Sequence, residues 1–252
     1  MGKKSLEERV TEEAMYLCTE FKSHRGHPFD PCYFINNAVS NVICSIVFGE
    51  RFEYDDAKFL QLLHLFDESL RAASGFLAQI LNEVPWLMNI PGLANRVLQA
   101  QYSLNAFLRD IITEHKKSFK PDNIRDYIDA YLLEIEKAKG EENTSFNETN
   151  LFLTTCDLFG AGTETTSTTL RWALIYMLLY QDIQSKVHEE IDRVIGRERK
   201  PTMEDLLEMP YTNAVIHEIQ RCGDISPLAL PHMTYRDMEI QGYFLPKVKL
   251  YL

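Results

Sequence analysis

The chain has 252 residues, 45% hydrophobic and 25% charged, enough for one large domain or two ordinary ones with a buried core. A formal charge of −11 argues against a nucleic-acid partner, which needs clustered Lys and Arg. No apolar run approaches the ~18 residues of a membrane-crossing helix; the longest, Trp172 to Tyr180, has nine. The five cysteines (Cys18, Cys32, Cys44, Cys156, Cys222) are scattered without a C-x-x-C pair, which points to free thiols in a reducing compartment and not to a disulfide framework or a zinc site.

Nearly everything up to Cys222 reads as helix. Ser5-Leu6-Glu7-Glu8 is a capping box, followed by Val10, Ala14, Leu17 and Phe21 on one face. His24 and His27 sit in a turn with no further ligand nearby and read as solvated surface, not as metal ligands. Pro31 starts a second helix whose apolar pairs Phe34/Ile35, Ala38/Val39, Val42/Ile43 and Ile46/Val47 make a broad stripe, closed by Gly49. Asp55-Asp56 opens a third helix through Phe59, Leu62, Phe66 and Leu70 to about Asn82. Val84 to Leu93 then holds two prolines bracketing an apolar set. Two readings stand: a loop folded onto the core, or a membrane-touching or ligand-gating segment.

A fourth helix is predicted from about Leu93 to Lys117 and a fifth from Asp122 to Ile135. Asn147 caps the longest, which runs through Tyr180 and is long enough to cross a whole domain. Its middle holds Gly160, Gly162 and five threonines between 163 and 169, although each interior glycine costs about 1 kcal/mol against alanine. Taken alone, that interruption reads as a kink or a close helix crossing. Its other reading is chemical: small residues admit a group to the helix backbone, and Glu164 beside Thr165 could relay protons.

Asp182 caps the next helix, closed by Gly196; Thr202 starts a short one that stops at Pro210; a last covers about Tyr211 to Cys222 and carries Glu218 and Arg221 three apart on one face. Pro227 and Pro231 forbid helix, Gln241-Gly242 turns a hairpin, and 247–252 alternates as a terminal strand would, with nothing after it to pair or cover it.

Ala161-Gly162-Thr163-Glu164-Thr165-Thr166 followed some fifty residues later by Glu218-x-x-Arg221 resembles the cytochrome P-450 superfamily of haem-thiolate monooxygenases, through its [AG]-G-x-[DE]-T-[TS] and E-x-x-R motifs. Arg125 to Leu133, Pro227 to His232 and Gly2 to Val10 are similar to family 2 of the mammalian microsomal enzymes, in particular its arachidonate-epoxidising J subfamily. The resemblance covers residues 2 to about 247. It implies a mainly α fold, the central part of a single cytochrome P-450 domain, helical over 3–222 with a small β-rich remnant over 233–252. It also implies haem, an NADPH-dependent reductase, lipophilic substrates such as fatty acids or xenobiotics, and the cytoplasmic face of the endoplasmic reticulum.

Carried over by motif, Ala161 and Gly162 would lie over the distal haem face, with Glu164 and Thr165 managing protons for bound oxygen. Glu218 and Arg221 would hold the structural core behind the haem, and His232 would reach a propionate. Leu158, Phe159, Leu228 and Leu230 would line the substrate pocket, and Val84 to Leu93 would dip into the membrane. The family's F-x-x-G-x-R-x-C-x-G ligand loop, its W-x-x-x-R helix and its membrane anchor have no counterpart here. The expectation is therefore a chain truncated at both ends, without an iron ligand and inactive alone. The alternative is a non-catalytic binding fragment.

Overall fold

The computed structural model describes residues 3–141, 144–227, 232–247 and 250–251. Its frame is a pair of helices, α2 (Cys32–Val47) and α7 (Glu148–Leu179), packed along each other. At ~1.5 Å per residue the 32 residues of α7 span about 48 Å. Asn147 caps α7, its side-chain carbonyl accepting the Asn150 N–H at 2.9 Å. Of the predicted stripe along α2, Ile35, Ala38, Val39 and Val47 are buried and Phe34, Val42, Ile43 and Ile46 half-buried, while Cys44, outside the stripe, is buried too. Asn37, Ser40 and Asn41 are buried as well, so α2 is covered on more than the face of its stripe.

α1 (Lys3–Ser23) lies on the other flank of α2 and begins ahead of the predicted capping box, so Ser5 to Glu8 fall inside the helix. α3 (Ala57–Ser74) is capped by Asp56 and packs along α5 (Asn95–Ser118). The single third helix expected to run to Asn82 is broken at Gly75, where ψ of 154° takes the backbone out of the helix; α4 (Phe76–Glu83) restarts beyond it. Ser74-Gly75 offers weak helix propensity, and no apolar face is lost by turning there. The core gathers Phe48 from just beyond α2, Phe59, Leu62 and Phe66 from α3, Leu108 from α5, Leu151, Phe152 and Phe159 from α7, and Ile128. Within it Phe159 stacks on Phe48 at 6.2 Å and meets Phe66 edge-on at 5.3 Å.

The segment from Pro85 to Asn89 forms a short 3-10 helix with no buried residue, and Trp86, Met88 and Ile90 are exposed. The stretch from Val84 to Leu93 is therefore not folded into the core. α6 (Tyr127–Lys137) begins five residues later than predicted, because Asp126, not Asp122, accepts the helix N–H of Asp129. α8 (Gln181–Val194) starts directly after Tyr180 without a side-chain cap, so Asp182 is a first-turn residue. Thr202 and Asp205 form a reciprocal capping box on a second 3-10 helix, Met203–Glu208. α9 (Pro210–Gly223) follows.

Four short strands end the described chain. β2 (Met238–Ile240) and β3 (Tyr243–Leu245) form an antiparallel hairpin whose turn, Gln241-Gly242, has positive φ at both residues (52° and 81°), the mirror-image turn that suits strand twist. β4 (Leu250–Tyr251) pairs antiparallel with β1 (His232–Met233). The terminal strand expected to stay unpaired thus has a partner brought round by the hairpin. Among the described residues, no helix is long and apolar enough to cross a membrane.

Candidate functional site

The glycine and threonine stretch of α7 divides between two faces of one unbroken helix. Gly162, Thr163 and Ser167 turn toward α2. A Cβ on Gly162 would lie 2.5 Å from Ile43 Cδ1 and 2.9 Å from Ile43 Cγ1, so the bare backbone is what allows Ile43 of α2 to come this close. Gly160 plays a milder part, its hypothetical Cβ meeting Phe66 at 3.4 Å. The interruption therefore serves a close helix crossing on this side, and it produces no kink that ends the helix.

The opposite face is open. Leu158, Ala161, Glu164 and Thr165 are all exposed. From Thr165 onward the face borders a cleft of about 570 Å³ between α7 and α9, walled by Thr169, Trp172 and Ala173 on one side and Ile216, Ile219 and Gly223 on the other. Phe159, one residue from Leu158, points into the core instead and is 1% exposed. Leu228 and Leu230 lie outside the described residues. His232 opens β1 opposite Tyr251.

Hydrogen bonding sets what the motif's side chains can do. The Thr165 hydroxyl donates to the Ala161 carbonyl one turn back, which leaves its lone pairs facing outward as acceptors. Glu164 does not touch Thr165. It accepts the Thr168 hydroxyl at 3.0 Å, and Arg171 donates to that hydroxyl at 2.7 Å while standing 3.7 Å from the carboxylate. The carboxylate and the Thr165 hydroxyl thus sit side by side on the helix without a direct bond between them.

On α9, Arg221 grips Glu218 with two parallel bonds, Nε to Oε2 at 2.8 Å and a terminal nitrogen to Oε1 at 2.6 Å. The Arg221 hydrogen bonds hold the Glu218 carboxyl down to about 2. The guanidinium also donates to the Cys222 thiol at 3.3 Å. What fixes α9 against α8 is a residue that the sequence reading passed over. Glu190 is buried, and its carboxylate accepts the Tyr211 and Thr212 backbone N–H groups at 3.2 and 2.6 Å, capping the helix from outside. A glutamate among the polar positions of an amphipathic helix gives no sequence signal for that task; Pro210 at the helix start is the only hint.

The described residues offer an open helix face beside a mainly apolar cleft, and no cysteine lines that cleft. Among them, no group of three His, Cys, Asp or Glu side chains could hold a metal ion. Cys44 is in the core with its thiol pushed up by burial, and burial likewise takes the half-buried Cys156 up to about 11. Cys222 is engaged with Arg221 and Glu218, and Cys18 and Cys32 belong to α1 and the start of α2, away from the cleft. None of the five thiols lines the cleft.

A mainly helical domain, a central helix open along one face and a bidentate E-x-x-R pair behind it are the marks of the haem-thiolate class. The family model for cytochrome P450 matches residues 1–249, and the chain belongs to that family, whose cofactor is haem. It is 53% identical over 248 residues to cytochrome P450 2D15 of Canis lupus familiaris, 52% to cytochrome P450 2D6 of Homo sapiens and 51% to cytochrome P450 2D4 of Rattus norvegicus. Each match covers 98% of this chain and 50% of the relative, so the chain spans about half the length of the curated relatives it matches. These relatives lie within family 2, as expected, and carry 2D names in place of the J-subfamily likeness read from the sequence. The residues present do not by themselves complete a haem site, because they supply a wall and no ligand.

Proposed function

We propose that this chain forms the oxygen-side wall of a monooxygenase that inserts one oxygen atom from O₂ into lipophilic substrates, with electrons from an NADPH-dependent reductase. The observation that carries the reading is the split of α7. Gly162 lets the helix seat tightly on α2, while Leu158, Ala161 and Thr165 stay uncovered on the other face, and from Thr165 onward that face borders a cleft whose far wall is mainly apolar. Ala161, small and exposed, leaves room on the open face for a planar group, whereas Gly162 is taken up by the contact with Ile43. Thr165 presents acceptor lone pairs, and Glu164, held by Thr168 and Arg171, supplies a carboxylate beside it. Leu158 adds an exposed apolar side chain two turns ahead of Thr165, whereas Phe159 packs in the core behind it. Glu218 and Arg221 pair on α9, and His232 would reach a propionate by its place in the motif. Fatty acids and xenobiotic lipophiles are the substrate classes that suit such a lining, and the cytoplasmic face of the endoplasmic reticulum is the setting.

A second reading rests on the exposed Trp86, Met88 and Ile90: the chain as given acts as a non-catalytic fragment that touches a membrane through Val84 to Leu93. Reconstitution with haem followed by reduction under carbon monoxide separates the two. Because no thiol faces the cleft, the 252-residue chain alone is expected to give no thiolate-type Soret band. Co-expression with a segment carrying a cysteine-ligand loop is expected to restore it. A thiolate band from the chain alone would overturn the account of a missing ligand. No band with the added segment would favour the fragment.

A further inference from the structure

Away from that site, an ionisable side chain is largely buried where three chain segments meet. His115 stands in the last turn of α5, its side chain 13% exposed, against Asp126, which is 1% exposed. Its Nδ1 lies 3.0 Å from the Ile111 carbonyl oxygen. Its Nε2 lies 3.1 Å from both the Phe48 carbonyl oxygen and Asp126 Oδ2. Carbonyls and a carboxylate only accept. A neutral imidazole has one N–H, so either tautomer would press a nitrogen lone pair against an oxygen, and only the imidazolium satisfies both sides.

The contacts join elements that are far apart in sequence. Phe48 closes α2, and Gly49 follows with φ of +75°; a Cβ on Gly49 would lie 2.8 Å from Asp126 Oδ2, so the carboxylate reaches this junction only over a bare backbone. The other oxygen of Asp126 accepts the Asp129 N–H and caps α6. The charged surroundings favour a cation. Asp126 and the buried Asp129 approach from α6, Asp110 and Glu114 from α5, and Glu50 from the exit of α2. Against them stand Lys58 of α3, Arg125, which is bound to Asp129 at 2.6 Å, and Lys117, which is bound to Glu114 at 2.7 Å. The carboxyl end of the α5 dipole adds to the same preference.

We propose that His115 is a proton-dependent clamp: as an imidazolium it ties the exit of α2, the end of α5 and the cap of α6 together, and its deprotonation loosens that junction. Burial alone would pull the imidazole down, but its hydrogen bonds to Asp126 and Ile111 and the Asp126 charge outweigh burial and raise its pKa. A folded value above the unfolded one of about 6.5 means that the stabilisation is complete below about pH 6.5 and is lost as pH rises through the folded value.

The test is an imidazole nitrogen NMR titration of the full chain, with urea unfolding from pH 6 to 9. Both His115 nitrogens are expected to be protonated at pH 7, and the urea midpoint is expected to fall as the ring titrates. Each unit of separation between folded and unfolded pKa is tenfold in the unfolding equilibrium constant across that window. H115Q is expected to abolish the fall, and D126N to lower the titration midpoint. One protonated and one bare nitrogen at pH 7, or an undiminished fall in H115Q, would overturn the clamp. If H115Q does not fold, the wild-type nitrogen spectrum and the D126N midpoint decide it.

Discussion

Gly162 occupies a position where the absence of a side chain is structural on one face and leaves the opposite face undisturbed. Placing alanine there gains about 1 kcal/mol of helix propensity, yet overpacking a tight contact costs about 1–3 kcal/mol. With Ile43 Cδ1 2.5 Å from the new methyl, the overlap is expected to win in the wild-type background. I43V removes the terminal methyl, so G162A should cost less there, with a coupling on the order of 1 kcal/mol in a double-mutant cycle measured by urea unfolding. Additive effects would show that α2 and α7 do not meet at this point. The motif residues were legible in the sequence by type, but their faces were not. Thr163 and Thr165 look alike in a string of threonines, and only packing against α2 buries the first and leaves the second on the cleft.

At the scale of elements, α1 is joined to the exit of α2 by one buried carboxylate. Glu13 is 3% exposed and accepts Arg51 Nε at 2.9 Å and the Tyr54 hydroxyl at 2.6 Å, with the guanidinium 3.5 Å above the Tyr16 ring. Burial raises the Glu13 pKa, and the bonds from Tyr54 and Arg51 oppose that rise. R51A leaves the carboxylate buried without its cation, with only the neutral partners Tyr54 and Asn41, so a loss of about 3–5 kcal/mol is expected at neutral pH. E13Q keeps a polar partner for Tyr54 and should cost less. The sign of the pH effect follows from the raised pKa. The penalty in R51A belongs to the charged form, so the deficit should shrink as pH falls through the Glu13 titration; urea midpoints at pH 5 and 7.5 measure it. None of this was visible in the sequence, where Glu13 reads as one more polar position. The same blindness hid Glu190, His115 and Asp126: a buried charge with a distant partner has the pattern of a solvated face. The break at Gly75 was hidden for the opposite reason, because apolar residues continue on both sides of it. Helix existence, by contrast, was legible from periodicity in α2 and from the cap in α7, since both depend on neighbours three or four residues away.

For the whole molecule, the distribution of apolar surface matters more than its amount. Scattered exposed leucines are ordinary, but Ile175, Leu178, Leu179 and Tyr180 form a continuous exposed set at the end of α7, with Leu178 and Leu179 70% and 67% exposed. It is separated along the chain from the Trp86, Met88 and Ile90 set, so the two can be tested independently. Contiguous apolar area that no described element covers favours association, because each leucine withdrawn from water contributes about 1.5–3 kcal/mol. Lysine and leucine have nearly equal helix propensity, so L178K/L179K should leave α7 intact and change stability by no more than about 0.5 kcal/mol. In sedimentation velocity the wild-type chain is expected to self-associate with rising concentration, and the double variant to stay smaller at the same concentration. W86S/M88S should leave that behaviour unchanged and instead weaken co-sedimentation with phospholipid vesicles. If W86S/M88S removes self-association and L178K/L179K does not, the apolar end of α7 is not the adhesive surface, and the segment from Val84 to Leu93 takes over that role as well.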